Sequence, residues 1–404
     1  MIKRISIRTT LAVLLSHCLV ASAAETSNLD NTFNPAFSLI LSGTYAALPH
    51  APAGAATGFA MNPNLRNEQG FNIGESEMGI SANIDPQFRG VATLALDPVG
   101  GVSVENAFVQ TTALGDGMNL KFGRFFSGLG YLNDVHAHAW DFVDQPLVYA
   151  TFWGNQLGED GVQFKWLAPA DTFIELGGEM GKGRGFPGTD TPRNGVGGRT
   201  LFVHAGDDIS IEHSWRAGAS MHLTTRVNAI SEEVPDLNGT LVNNSFSGDS
   251  QTYGMDFVWK YSPNGNVRDS YLKVQSEFFL RKEEGDLTYD TATTGANITD
   301  TFSVTQSGFY IQSVYQFIPR WRVGARYDRL SPGIAKIGSK PGFNPISDYA
   351  FNPTRTSLML DYSPSEFSRL RMQLARDDSI ATIRDYQFLL QYVMSLGAHG
   401  AHSY

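Results

Sequence analysis

The amino-acid sequence predicts an all-β fold, a transmembrane antiparallel β-barrel of about sixteen strands. Three observations lead there. Apolar and polar residues alternate with period two from end to end, and almost no 3.6-residue periodicity competes. The alternating segments run to roughly 8–12 residues, the reach of a tilted strand across a bilayer. Their connections alternate between short and long, as in a barrel with tight turns at one end and long loops at the other.

Composition taken alone points elsewhere. The 404 residues are 42% hydrophobic and 17% charged, with a formal net charge of −10 and a mean hydropathy of −0.18, values that describe a soluble acidic protein. Length by itself allows two or three domains, although a barrel runs longer as one unit. After position 23 there is no apolar run long enough for a helical span, which excludes a polytopic helical membrane protein. The acidic balance argues against nucleic acid as a partner. Alternation reconciles these numbers with a membrane, because averaging two faces of opposite character erases a period-two pattern.

The chain begins with Lys3, Arg4 and Arg8 ahead of an apolar stretch from Leu11 to Val20 and the small residues Ala21-Ser22-Ala23. This reads as a secretory signal over 1–23, leaving 24–404 as a single barrel domain. Its removal takes away three positive charges and moves the formal charge from −10 to about −13. Cys18, the single cysteine, follows Ser16-His17 rather than a lipoprotein-type pair, so the mature chain is expected to carry no lipid anchor and no disulfide.

Strands are expected to begin near Phe37, Ser76, Phe88, Val102, Asn119, Gly161, Thr172, Arg199, Trp215, Tyr253, Tyr271, Ser307, Trp321, Thr356, Arg369 and Tyr386. The phase is plainest where Tyr253, Met255, Phe257, Trp259 and Tyr261 share one face while Gly254, Asp256, Val258 and Lys260 share the other. Likewise Leu272, Val274, Phe278 and Leu280 oppose Lys273, Gln275, Glu277 and Arg281. Lipid offers no hydrogen-bond partners, so such a sheet must close on itself with an apolar outside and a wet lumen. Trp215, Trp259, Tyr261 and Trp321 suit the interfacial girdles. Long connections are expected over roughly 47–75, 126–159, 181–198, 228–250, 283–303 and 331–353, with short ones between.

The connection at 126–159 is rich in aromatic and small residues, too apolar to extend into water, and long loops of this kind are usually functional. In a wide barrel it is expected to fold inward and narrow the channel. The segment GRFFSGLGYLNDVHAHAWDFVDQPLVYATFWGNQLGEDGVQFKW resembles a group of proteobacterial outer-membrane proteins related to the phosphate-selective porins, some of which are described as zinc-regulated or TonB-dependent receptors. The resemblance extends over most of the mature chain. It implies a barrel constricted by its third long loop, assembled as a homotrimer among lipid and lipopolysaccharide in the outer membrane of a Gram-negative bacterium. Two departures matter. A TonB-dependent transporter needs a plug domain and about 22 strands. A phosphate pore should line its constriction with Lys and Arg, and residues 126–159 contain neither.

The loop offers Asp134, His136, His138, Asp141, Asp144 and Glu159 to the constriction. The wall offers an inward-phased basic row of Arg216, Lys260, Lys273, Arg281, Arg322, Arg326, Arg369 and Arg371. Acid facing base across a narrow lumen would orient polar solutes and set selectivity; the alternative is that the arginines tie the loop to the wall by ion pairs. Acidic side chains in 228–250 and 283–303 are read as solvated loop charges or as a cation-attracting mouth. His136 and His138, with Asp134 and Asp141 nearby, have the donor chemistry of a zinc contact, although no third ligand is identifiable. No nucleophile–base constellation is legible: His213-Ser214 are adjacent in a strand and point to opposite faces, and Gly183 to Gly188 copies a dinucleotide fingerprint without a following helix.

The expected function is passive diffusion of small hydrophilic solutes or ions, weakly cation-selective or non-selective, without catalysis. The alternatives are a specific transporter for zinc or its chelates, or an adhesive barrel.

Overall fold

The structure, a computed structural model, describes residues 35–50, 55–59, 62, 68–96, 101–190, 194–231, 234–235, 241–290, 297–338 and 350–397. The signal segment, Tyr404 and the acidic Glu232, Glu233 and Asp236 lie outside these.

Sixteen antiparallel strands form the wall. In chain order they are β1 (Ala36–Ala47), β2 (Ser76–Asn83), β3 (Phe88–Leu96), β4 (Val102–Thr111), β5 (Met118–Phe126), β6 (Gly158–Leu167), β7 (Phe173–Gly181) and β8 (Gly198–Asp208). They continue as β9 (His213–Ile230), β10 (Ser245–Tyr261), β11 (Tyr271–Asp290), β12 (Asn297–Ile318), β13 (Trp321–Ser331), β14 (Thr354–Ser365), β15 (Ser368–Ile380) and β16 (Ile383–Gly397). Each strand pairs with its sequence neighbour. The ladder closes where β1 meets β16, from Ser38 opposite Gly397 to Ala47 opposite Phe388. Closure leaves no sheet edge for lipid to face.

The wall is built inside-out, as the alternation demands. On β10, Tyr253, Met255 and Phe257 are exposed on the outer face, while Thr252, Asp256 and Val258 are buried on the inner one. On β14 to β16 the exposed residues include Leu358, Leu374 and Leu390, and the buried ones Ser357, Gln373 and Gln387. Trp215, Trp259, Tyr261 and Trp321 all lie close to the short-turn ends of their strands, and Trp321 stacks on Tyr362 with ring centroids 4.5 Å apart.

Strand length departs from expectation on one side of the barrel. Strands β2 to β7 have 8–10 residues, but β9 to β12 have 18, 17, 20 and 22. At about 3.3 Å per residue the latter reach well past a bilayer even when tilted. Part of each segment expected to be a loop is therefore wall: 228–230 and 245–250 of the first, and 283–290 and 297–303 of the second. Their Ser, Thr, Gly and Asp content hides the strands from a reading of propensity, whereas a continuous ladder from Tyr271 opposite Gln316 to Asp290 opposite Asn297 supplies the missing stability. Toward the long-loop end, the inner face of these strands carries a small apolar core of Phe246, Leu287, Tyr289, Phe302 and Val304, joined by Ile337 from the connection after β13, which pairs with Phe302.

Candidate functional site

The connection between β5 and β6 lies inside the barrel. It contains a short 3-10 turn at Ala137–Ala139 and one helix, α1 (Leu147–Trp153). All seven residues of α1 are buried, as a helix that is apolar all round must be. Leu129, Leu132, Trp140, Tyr149, Phe152 and Trp153 share a core with the wall residues Phe279, Tyr310 and Leu330. Phe142 packs on Val314 and Met359. The helix starts where Leu147 N–H donates to the carboxylate of Asp328 on β13 at 2.9 Å, and it ends on Gly154, whose φ of 59° is the left-handed conformation glycine adopts freely.

Polar anchors hold the loop at intervals. Glu277 on β11 accepts four hydrogen bonds: from the N–H groups of Tyr131 and Leu132 at 2.9 and 3.1 Å, and from the hydroxyls of Tyr149 and Tyr310 at 2.7 and 2.6 Å. Glu179 on β7 accepts from Ser127 Oγ and Gly128 N–H at 2.5 and 2.8 Å. Arg369 and Arg371 donate to the carbonyls of His138 and Trp140.

The acidic and basic rows meet in contact rather than across an open lumen. Asp141 is paired with Lys273 and, at 3.4 Å, with Arg322. Asp144 is paired with Arg326 at 2.6 Å and with Arg355 at 2.9 Å. Burial pushes both carboxyls up, but Lys273 and Arg322 at one, and Arg355 and Arg326 at the other, hold each down to about 2. The expected transverse field is thus corrected at these two positions: an apolar loop pressed on the wall can bury a carboxylate only beside a cation. Arg322, Arg369 and Arg371 converge on Asp361 of β14 at 2.8, 3.7 and 3.3 Å. Arg281 donates to Gln306 at 2.7 Å and lies over the Phe152 ring.

Two loop acids depart from the row in other ways. Asp134 is exposed. Glu159 is buried at the start of β6, where it accepts from Gly183 N–H at 3.0 Å, away from the basic row. Arg216 and Lys260 line a recess together with Asp207, Asp208, Phe173 and the loop residue Tyr131, over whose ring Arg216 lies.

His136 and His138 face the wall, not Asp134 or Asp141. His136 Nδ1 lies 3.1 Å from Glu77 Oε2 and 3.0 Å from Glu105 Oε2, and His138 Nδ1 lies 2.8 Å from Glu77 Oε1. The acidic partners of the two histidines are therefore wall glutamates, and one donor atom each of Glu77, Glu105 and His136 lies within 4.8 Å of the others. Glu77, Glu105, Glu179, Asp328, Arg355 and Asp361 were not singled out as site residues. Strand phase could have found Arg355 and Asp361, which alternate with the outward Leu358 and Leu360; nothing in the sequence marks Glu105.

No protein-family model matches the chain. An uncharacterized protein of Aquifex aeolicus (strain VF5) is 32% identical over 365 residues, spanning 84% of this chain and 71% of that relative. Among solved structures, the chain is similar to a loop-deletion mutant of OmpT, an outer membrane protein of Vibrio cholerae, at 13% identity and a TM-score of 0.54, covering 90% of this chain and 99% of that one. OprB of Pseudomonas putida gives 12% and 0.54, covering 91% and 95%. An anion-selective porin from Comamonas acidovorans gives 11% and 0.52, covering 90% and 99%. At these identities the likeness to the solved structures is one of fold. The chain therefore belongs to one family with the Aquifex aeolicus protein, and its sixteen-stranded barrel has the porin fold.

Proposed function

We infer that this protein is an outer-membrane porin, a passive channel for small hydrophilic solutes and ions. The observation that carries the reading is an inside-out sixteen-stranded wall with one apolar loop anchored within it, which leaves a recess lined by both charge signs. Ring charges and bore set what such a channel passes. Asp141 and Asp144 are neutralised by Lys273, Arg322, Arg326 and Arg355, so the loop confers at most a weak cation preference, through Asp134. Kinship with the phosphate-selective porins is a reading of the 123–166 segment, without their selectivity, because the loop itself brings no Lys or Arg. The same reading takes 1–23 as a signal peptide and 24–404 as one barrel, assembled as a homotrimer among lipid and lipopolysaccharide, with no catalytic role.

Specific transport of zinc or its chelates finds less support. His136 and His138 are buried between loop and wall instead of standing along the recess. Two measurements separate the readings. Liposomes carrying the protein are expected to admit neutral sugars with linear, non-saturating rates; saturable, cation-dependent flux would replace this proposal with the transporter. Under a salt gradient the bilayer reversal potential is expected to lie near zero or slightly on the cation side, and a strong anion preference would overturn the charge argument.

A further inference from the structure

The cluster at the first turn of the loop carries chemistry that diffusion of solutes does not use. His136, Glu77 and Glu105 have side chains no more than 8% exposed, and one donor atom from each lies within 4.8 Å of the others. His136 Nδ1 stands 3.1 and 3.0 Å from the two carboxylates, yet an imidazole nitrogen has one proton and cannot serve both fully. A metal ion can. With bonds of about 2.0–2.2 Å, the ligand atoms around a tetrahedral zinc stand about 3.4 Å apart, so the observed spacing has only to open by a few tenths of an ångström.

The backbone supplies an independent observation. Between β3 and β4 the register steps from Thr93 opposite Asn106 to Leu94 opposite Val104, leaving Glu105 as the extra residue of a β-bulge. In a regular strand Glu105 and Asn106 would point to opposite faces. Across the bulge both reach the loop: Glu105 at His136 Nδ1, and Asn106 with Nδ2 3.0 Å from His136 Nε2 and Oδ1 accepting from Phe126 N–H at 3.3 Å. His138 meanwhile holds the second oxygen of Glu77 at 2.8 Å. Contacts of this kind orient ligands and account for much of a site's affinity.

We propose that Glu77, Glu105 and His136 bind a divalent transition-metal ion of the zinc class, with His138 as a positioning residue, and that the ion staples the inward loop to β2 and β4. Glu77 and Glu105 offset the ion's charge, Glu75 lies hydrogen-bonded to Glu105 beside them, and the nitrogen donor favours zinc over calcium or magnesium. Three protein ligands leave the fourth position to water. The site stands independently of the channel reading, since a metal-free barrel would still conduct.

The test uses the intact barrel in detergent, stripped with chelator and dialysed against Zn²⁺, with bound metal counted by atomic emission and Co²⁺ absorption reporting tetrahedral N/O ligation. About one ion per chain is expected. Glu105→Gln, which preserves shape, is expected to weaken binding more than about a hundredfold, and His138→Ala about 10–100-fold. His213→Ala, which removes a histidine stacked on Trp259 and Tyr261, is expected to leave the count unchanged. Wild type binding no more than Glu105→Gln, or His213→Ala losing the ion equally, would overturn the proposal.

Discussion

Glu277 shows how much a single buried carboxylate organises. It is 1% exposed and collects two backbone N–H groups of the loop, one loop hydroxyl and one wall hydroxyl. An amide cannot accept at both ends, so Glu277→Gln is expected to leave at least one buried donor unpaired, at a cost on the order of 3 kcal/mol. A lowered melting temperature with a noisier single-channel current would register it; an unchanged current would remove Glu277 as an anchor. Asp141 and Asp144 make a pH prediction at the same scale. Both are held down to about 2 by their cations, below the roughly 3.9 of a free aspartate. A depressed carboxyl contributes stability that is complete above its unfolded value and disappears as pH falls through its folded one. The loop is thus expected to stay docked from neutral pH to about 4 and to loosen toward about 2, as followed by fluorescence of Trp140 and Trp153. Loosening already at pH 6 would show that other groups hold it.

At the scale of elements, the inward connection and the wall opposite it form one unit. Helix α1 rests on β12 at Gly308, where an added Cβ would come within 2.8 Å of Val148 Cγ2 and 2.6 Å of Leu330 Cδ2. Gly308→Val is therefore expected to lift the helix from the wall while leaving the outer face untouched. Altered conductance in a barrel that still folds is the expected readout, and wild-type conductance would mean that the seat yields without moving the loop. The start of every strand was legible from alternation except for β10 and β12, which begin at Ser245 and Asn297 rather than near Tyr253 and Ser307. Their first halves reverse the pattern, with Phe246, Ile298, Phe302 and Val304 facing inward and Ser and Thr outward, so the outer apolar face that marks a membrane strand is missing there and pairing with β9 and β11 extends the wall. That the loop turns inward was legible from its aromatic content. Its partners were not, because a strand's phase tells which face a residue occupies and not which loop atom arrives there.

For the whole molecule, charge placement decides the outcome of neutralising the loop. Asp141→Asn with Asp144→Asn would leave Lys273, Arg322, Arg326 and Arg355 with less compensation inside the lumen. The reversal potential is expected to move toward anions, and no movement would indicate that these cations lie outside the conducting path. Sequence by itself determined the architecture: period-two alternation, strand reach and the rhythm of short and long connections admit few solutions once lipid denies the backbone hydrogen-bond partners. It also determined which residues line the lumen, because adjacent side chains in a regular strand must part to opposite faces. Only the tertiary structure decided what those residues do. Closure brings β2 and β4 against a loop that follows β5, and a bulge at Glu105 breaks the alternation on which the sequence reading depends. It likewise turned two facing rows of charge into contacting pairs, since carboxylates on a docked apolar loop lose their water and must take the nearest cation in its place.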